Sequence, residues 1–187
     1  MSAKRCHTDR RRIRCVELDV KGVSEMKEAI IAAIVPALKK VTHRRFFENE
    51  RGFQGEFRAN LKAALGIDFP DNTVIEDEHQ KRLENHGLRL RPDLIIHVPY
   101  DEKTNPSRKT GNYVVFALKK RATEKIAIED FGKLDGMIKA LDYRLGVFIN
   151  IDDSKTFYEN CVVDSRDRII CFAVKKDGDN IVVVRAP

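Results

Sequence analysis

The chain contains no tryptophan and only four tyrosines, and most of its ten phenylalanines fall at positions that read as core. A stacking platform for single-stranded nucleic acid is therefore not expected, because such surfaces are built on exposed aromatic rings. The four cysteines, Cys6, Cys15, Cys161 and Cys171, include no Cys-x-x-Cys pair, which argues against a redox dithiol. Cys6-His7 followed by Cys15 matches no common structural zinc spacing and lacks a fourth ligand. Long apolar runs are also missing: Ala29 to Val35 is far short of a membrane span and is closed by Pro36. No apolar stretch follows the basic N-terminal residues as in a secretory signal, so a cytoplasmic protein with no membrane partner is expected. The Gly-x-x-x-x-Gly-Lys phosphate loop, the Gly-x-Gly-x-x-Gly turn, the Gly-x-Ser-x-Gly elbow and the His-Glu-x-x-His helix are all absent. The common signatures of nucleotide binding, serine hydrolysis and zinc proteolysis are thereby missing.

What is present is a chain of 187 residues with a formal charge of +6, a length that suits one domain with a real core. The charge is unevenly placed. Residues 1–14 hold Lys4, Arg5, Arg10, Arg11, Arg12 and Arg14 against Asp9 alone, so the rest of the chain is nearly balanced. Such a block serves either as an arm that neutralises phosphates or as a solvated tail. The expected organisation is a basic arm, 1–14, followed by a single domain, 15–187.

From Ser24 the apolar period is helical, with Met26, Ile30, Ile34, Leu38 and Val41 on one stripe, Ser24 as cap and Pro36 expected to bend or interrupt it. Gly52 is expected to break the pattern. A second helix is predicted from about Phe53 to Leu65, with Phe57, Leu61 and Ala64 inward and Gly66 as its end. Pro70, Asp71 and Asn72 read as a turn, Thr73 to Gln80 as a strand or extended piece, and Glu84 to Gly87 as a turn. Leu94 to Val98 and Tyr113 to Leu118 are buried-strand runs, separated by a polar loop from Tyr100 to Asn112. A helix from about Ile128 to Leu141 leads to a third core strand, Leu145 to Ile151. Two further strands, Arg168 to Val174 and Ile181 to Arg185, flank the turn Lys176-Asp177-Gly178-Asp179. The fold class expected is α/β: a central mixed sheet flanked by helices, with a C-terminal β-hairpin.

The informative stretch is Pro92-Asp93-Leu94-Ile95-Ile96, followed on the next strand by Ala117-Leu118-Lys119. An acidic residue opening a buried strand is costly unless it is paired or binds a cation. Period two puts Ala117 and Lys119 on one face, so neighbouring strands would bring Asp93 and Lys119 together at one end of the sheet. A carboxylate there suits a hard divalent ion, and a lysine can orient water or offset charge on a phosphate.

These residues resemble the PD-(D/E)xK, or restriction-endonuclease-like, nuclease superfamily. Its pattern is Pro-Asp on one strand, Glu-x-Lys or Asp-x-Lys on the next, and a glutamate from a preceding helix. Pro92-Asp93 matches the first half, and Ala117-Leu118-Lys119 the second with alanine in the acid position. Phe53-Gln54-Gly55-Glu56-Phe57 is similar to the preceding helix, and the resemblance spans residues 50–151. It implies a restriction-endonuclease-like fold and Mg²⁺- or Mn²⁺-dependent hydrolysis of DNA phosphodiesters. Glu56, Asp93 and the Leu118 carbonyl would hold the metal, Ala117 would stand where the catalytic acid belongs, and Lys119 would position or activate water. Three explanations of Ala117 are open: an inactivated variant, which is the reading adopted; a nuclease fold that only binds or scaffolds; or an acid moved to Glu129 or Asp130. Duplex or branched DNA is the expected partner, with Arg10, Arg11, Arg12, Lys103, Arg108, Lys109, Lys120 and Arg121 as candidate contacts. Cutting both strands of a duplex needs two active sites, which implies a homodimer. Glu78 reads as an edge-strand charge and His97 as a packed or hydrogen-bonded side chain rather than a catalytic one.

Overall fold

The apolar stripes read from the sequence are buried on two faces of one sheet in the computed structural model, which describes residues 27–66, 72–77, 90–103, 105, 107 and 109–187. The basic arm, Ser24 to Met26, Cys6, Cys15, Pro70, Asp71, Glu78 and Glu84 to Gly87 lie outside the described residues.

Residues 27–39 form α1, with Ile30, Ile34 and Leu38 buried, and Val41 is buried just beyond it. Pro36 does not break α1. Its ring lies on the exposed side between buried Ala33 and Ala37, and the Lys40 N–H still donates to the Pro36 carbonyl at 3.2 Å. The lost N–H costs one ladder bond, which packing on either side outweighs. A short α2 (Arg44–Glu48) follows, capped by the His43 side chain. α3 then runs Glu50–Leu65. Gly52 was expected to bound this helix but sits inside its first turn, where the N–H groups have no intrahelical partner in any case. The boundary is set by Asn49, whose side chain accepts from Arg51 N and Gly52 N. Gly66 closes α3 at φ +66°, as a C-terminal glycine should. Ala64 faces solvent rather than the core.

The strands are β1 (Val74–Asp77), β2 (Leu94–His97), β3 (Asn112–Lys120), β4 (Leu145–Ile151), β5 (Ile169–Asp177) and β6 (Asn180–Ala186), in spatial order β1-β2-β3-β4-β5-β6. β3, β4 and β5 are parallel, and the flanking pairs are antiparallel, so the sheet is mixed. β5 and β6 form the expected terminal hairpin around Gly178. The crossover between β3 and β4 is α4 (Glu124–Leu141), which starts a turn earlier than periodicity suggested. Thr123 caps it by accepting from Ile126 N at 3.4 Å, and Ile128 is left exposed.

Strand alternation divides the core. Leu94, Phe116, Leu118, Val147 and Ile149 face α1, α2 and α3. Ile95, Val115, Ala117 and Phe148 face α4, together with the turns that connect β4 to β5. Phe57 of α3 is fully buried, with its ring centroid 6.4 Å from Phe53 and 5.9 Å from Phe116. Phe57→Ala is expected to cost about 3–5 kcal/mol, read as a lowered urea midpoint with an unchanged slope.

Candidate active site

The antiparallel register pairs Leu94 with Phe116, which sets Asp93 beside Ala117 at the last rung of β2. Two bonds fasten Asp93 there. Its N–H donates to the Phe116 carbonyl at 3.2 Å, and its Oδ2 accepts from the Leu118 N–H at 2.6 Å. The preceding Pro92 has no N–H to offer the ladder, so β2 stops at this point. Asp93 therefore opens its strand with a carboxylate that replaces a main-chain acceptor.

Two residues along β3 from Ala117, Lys119 reaches its Nζ to 3.9 Å from Asp93 Oδ2 and 3.2 Å from Glu50 Oε1. Glu50 is the first residue of α3, where the helix N-terminus favours a negative charge. Its other oxygen accepts from Lys120 N at 3.1 Å, so one carboxylate clamps the end of β3. Gln54, one turn on, donates to the Asp93 carbonyl at 2.6 Å and to Asp77 Oδ1 at 3.2 Å. Asp77 in turn pairs with Arg58 at 3.0 Å. α3 is thus bound to β1, β2 and β3 by polar contacts at a single end of the sheet.

The site joins Asp93, Ala117, Leu118 and Lys119, as expected, but not Glu56. At ~100° per residue Glu56 is turned about 200° round α3 from Gln54. The helix carboxylate that meets Lys119 is Glu50, whose signal in the sequence was Asn49-Glu50, a cap followed by a first-turn acid. Glu129 is exposed on α4, whereas its neighbour Asp130 is buried on the sheet side. His97 bonds Glu76 at 3.0 Å and serves packing, as expected.

Burial pushes the Asp93 carboxyl up from its usual value. The Leu118 N–H and Lys119 pull it back, and the charges of Glu50 and Asp130 add to the rise. Burial pulls the Lys119 ammonium down, but attraction from Asp93, Glu50 and Asp130 together outweighs it and holds Lys119 above its ordinary range. Lys119 is accordingly held in its charged form.

The candidate DNA contacts separate. Lys103 and Lys109 lie in the loop between β2 and β3, at the end of the sheet opposite the site. Seven residues of β3 at ~3.3 Å each put about 23 Å between Asn112 and Lys119, so that loop does not flank Asp93. Within it Asn105 Nδ2 donates to the carbonyls of Val98, Pro99 and Thr110. Lys120 and Arg121 are beside the site and line an open groove with Arg44 and Lys176. Arg10, Arg11, Arg12 and Arg108 lie outside the described residues.

Among the described residues no three His, Cys, Asp or Glu side chains gather where they could hold one ion. The donors present are nevertheless the hard carboxylate oxygens that Mg²⁺ and Mn²⁺ prefer, and Asp130 Oδ2 is buried without a hydrogen-bond partner. No helix among the described residues is long and apolar enough to cross a membrane.

The architecture is that of an α/β protein with a carboxylate–lysine pair at adjacent strand ends. No family model matches the chain, and no curated protein matches it either. A solved structure similar to it is that of NucC from P. aeruginosa ATCC27853 in its cAAA-bound form. The two share 10% identity over 89% of this chain and 83% of that one, with a TM-score of 0.39. A likeness at that level bears on neither family nor activity.

Asp93 gives the site a pH signature. Its carboxyl titrates above its unfolded value near 3.8, so the folded state binds the proton more tightly. Stability should then fall as pH rises from about 3.8 through the folded pKa of Asp93, with the full cost in place at neutral pH. Asp93→Asn is expected to raise Tm at pH 7 and to lose that gain as the pH is lowered toward 3.8. A lower Tm at pH 7 would contradict this.

Proposed function

We propose that the chain is a metal-dependent nuclease that hydrolyses DNA phosphodiester bonds, standing here in an inactivated form because Ala117 occupies the place of the catalytic acid. The observation that carries the reading is Asp93 and Lys119 meeting 3.9 Å apart beside Ala117, from the two strand positions that the nuclease pattern names. Asp93 and the Leu118 carbonyl would hold Mg²⁺ or Mn²⁺, with Glu50 rather than Glu56 as the helix carboxylate nearest them. When bound, the cation would offset phosphate charge and lower the pKa of a water.

The chain's own residues have separable tasks. Lys119, kept protonated, donates to the phosphate or to the incoming water and stabilises charge that develops on phosphorus-bound oxygens. Glu50 and Asp93 hold that ammonium in place. In the reaction the water oxygen bonds to phosphorus, one bridging P–O bond breaks, the water proton leaves to solvent, and the departing sugar oxygen takes a proton from solvent to leave as a hydroxyl. Lys120, Arg121 and Arg44 offer phosphate contacts along the adjacent groove, and the arm at 1–14 would add sequence-independent affinity. Duplex or branched DNA is the substrate, and a homodimer would present two sites to opposite strands.

The missing third donor also favours a second reading, a nuclease fold that binds DNA without cutting it. Ala117→Glu decides between them. With Mn²⁺ or Mg²⁺ the substituted protein is expected to nick or cut plasmid, linear or branched DNA at least about 100-fold faster than the parent, and Lys119→Met in that background should abolish it. A well-folded Ala117→Glu protein that binds DNA and cuts none of these substrates overturns the nuclease reading in favour of the binding module.

A further inference from the structure

A cavity of about 460 Å³ lies between the later turns of α3 and the edge strand β1. That size falls within the range of about 300–1,000 Å³ usual for small-molecule sites. Its walls divide by chemistry. Leu65 of α3 and Val74 and Ile75 of β1 supply apolar surface, and Arg58 and Lys62, one turn apart on α3, supply two positive charges. No acidic residue is among the described residues that line it. An apolar wall gains from covering by hydrocarbon, and a guanidinium gains from a charged acceptor. Only an organic anion with an apolar body meets both demands at once.

Arg58 already shows which head group it takes. Its guanidinium pairs with Asp77 Oδ2 at 3.0 Å, with both side chains partly exposed. An ion pair that open to solvent contributes little and is readily exchanged. Asp77 also keeps a partner when Arg58 turns away, because its Oδ1 accepts from Gln54. We propose that the cavity binds a small carboxylate with an apolar tail, a medium-chain fatty acid in kind. Arg58 takes the head in exchange for Asp77, and the tail lies against Leu65, Val74 and Ile75. The dipole of α3 sets the direction. Its free C-terminal carbonyls disfavour an anion beside Leu65 and Gly66, so the head sits about two turns back at Arg58 and the tail runs toward Gly66. Lys62, between the two, adds attraction for the head. The proposal goes beyond the nuclease reading and assumes nothing about Asp93.

The alternative is a cleft that holds only water. Calorimetric titration of decanoate into the full chain separates the two, with circular dichroism confirming the fold of each variant. Acetate, which lacks the tail, and decanol, which lacks the charge, serve as comparisons. Decanoate is expected to bind at a single site, and acetate and decanol at least about tenfold more weakly. Arg58→Ala, and Ala59→Glu at the cavity wall, should each weaken decanoate by at least about tenfold. Asp77→Asn removes the competitor for Arg58 and should tighten decanoate severalfold. No binding of decanoate overturns the proposal, as does decanol binding as tightly as decanoate. Binding that Arg58→Ala or Ala59→Glu leaves unchanged lies elsewhere and overturns it too. Unchanged or weaker binding in Asp77→Asn overturns the exchange at Arg58 and with it the placement of the head. Should Arg58→Ala fail to fold, Ala59→Glu and Asp77→Asn decide by the same criteria.

Discussion

The bond from the Leu118 N–H to the Asp93 carboxylate holds the rest of the site in place. At 2.6 Å it substitutes a side-chain oxygen for the main-chain acceptor that β2 no longer provides. The register of β2 on β3 is thereby kept to its last rung, and Asp93, Ala117 and Lys119 stay on one face of the sheet. The same bond keeps a carboxylate in a place where burial disfavours its charge. The fold gives up some stability at that point. A charged group held against its own preference is where a counter-charge, whether ammonium or metal, gains most.

Helices from opposite faces converge on this end of the sheet. α3 arrives with Glu50 and Gln54 at its N-terminal turn, clamping Lys119, the Lys120 N–H and the Asp93 carbonyl. α4 arrives with Asp130 buried on its sheet side. Lys119 reaches the α3 side from a strand position that faces α4, so its long stem links the two. Arg44, Lys120, Arg121 and Lys176 line a groove beside the site together with Glu48 and Asp152, and Asp152 pairs with Arg121 at 2.7 Å.

Much of the architecture was legible because strands buried on both faces read as continuous apolar runs. Leu145 to Ile151 was bounded correctly, and the hairpin about Gly178 was located, although β5 runs on to Asp177 where the turn was expected from Lys176. The errors have physical causes. Pro36 and Gly52 were read as helix breakers, yet the packing of α1 on either side outweighs the bond that Pro36 loses, and Gly52 sits in a first turn where N–H groups lack intrahelical partners anyway. At the site, Asp93 and Lys119 could be paired because period two fixes their faces. Glu56 was misplaced because a sequence motif gives the helix but not its rotation, and rotation is decided by Phe53 and Phe57 entering the core. That rotation brings Glu50 round instead. The loop with Lys103 and Lys109 was a candidate DNA contact by charge and position, and strand connectivity sends it to the end of the sheet away from Asp93. Asp130 was one of several ways to account for Ala117, and only burial distinguishes it from exposed Glu129.

The central claim is that Asp93 is a half-buried carboxyl poised for a cation. It is tested most directly by following its side-chain carboxyl carbon by NMR through a pH titration, with and without saturating Mg²⁺. The account predicts a midpoint above the ordinary value of 3.8 without Mg²⁺, moving downward when Mg²⁺ is added. A midpoint at or below 3.8 that Mg²⁺ leaves unmoved would contradict it.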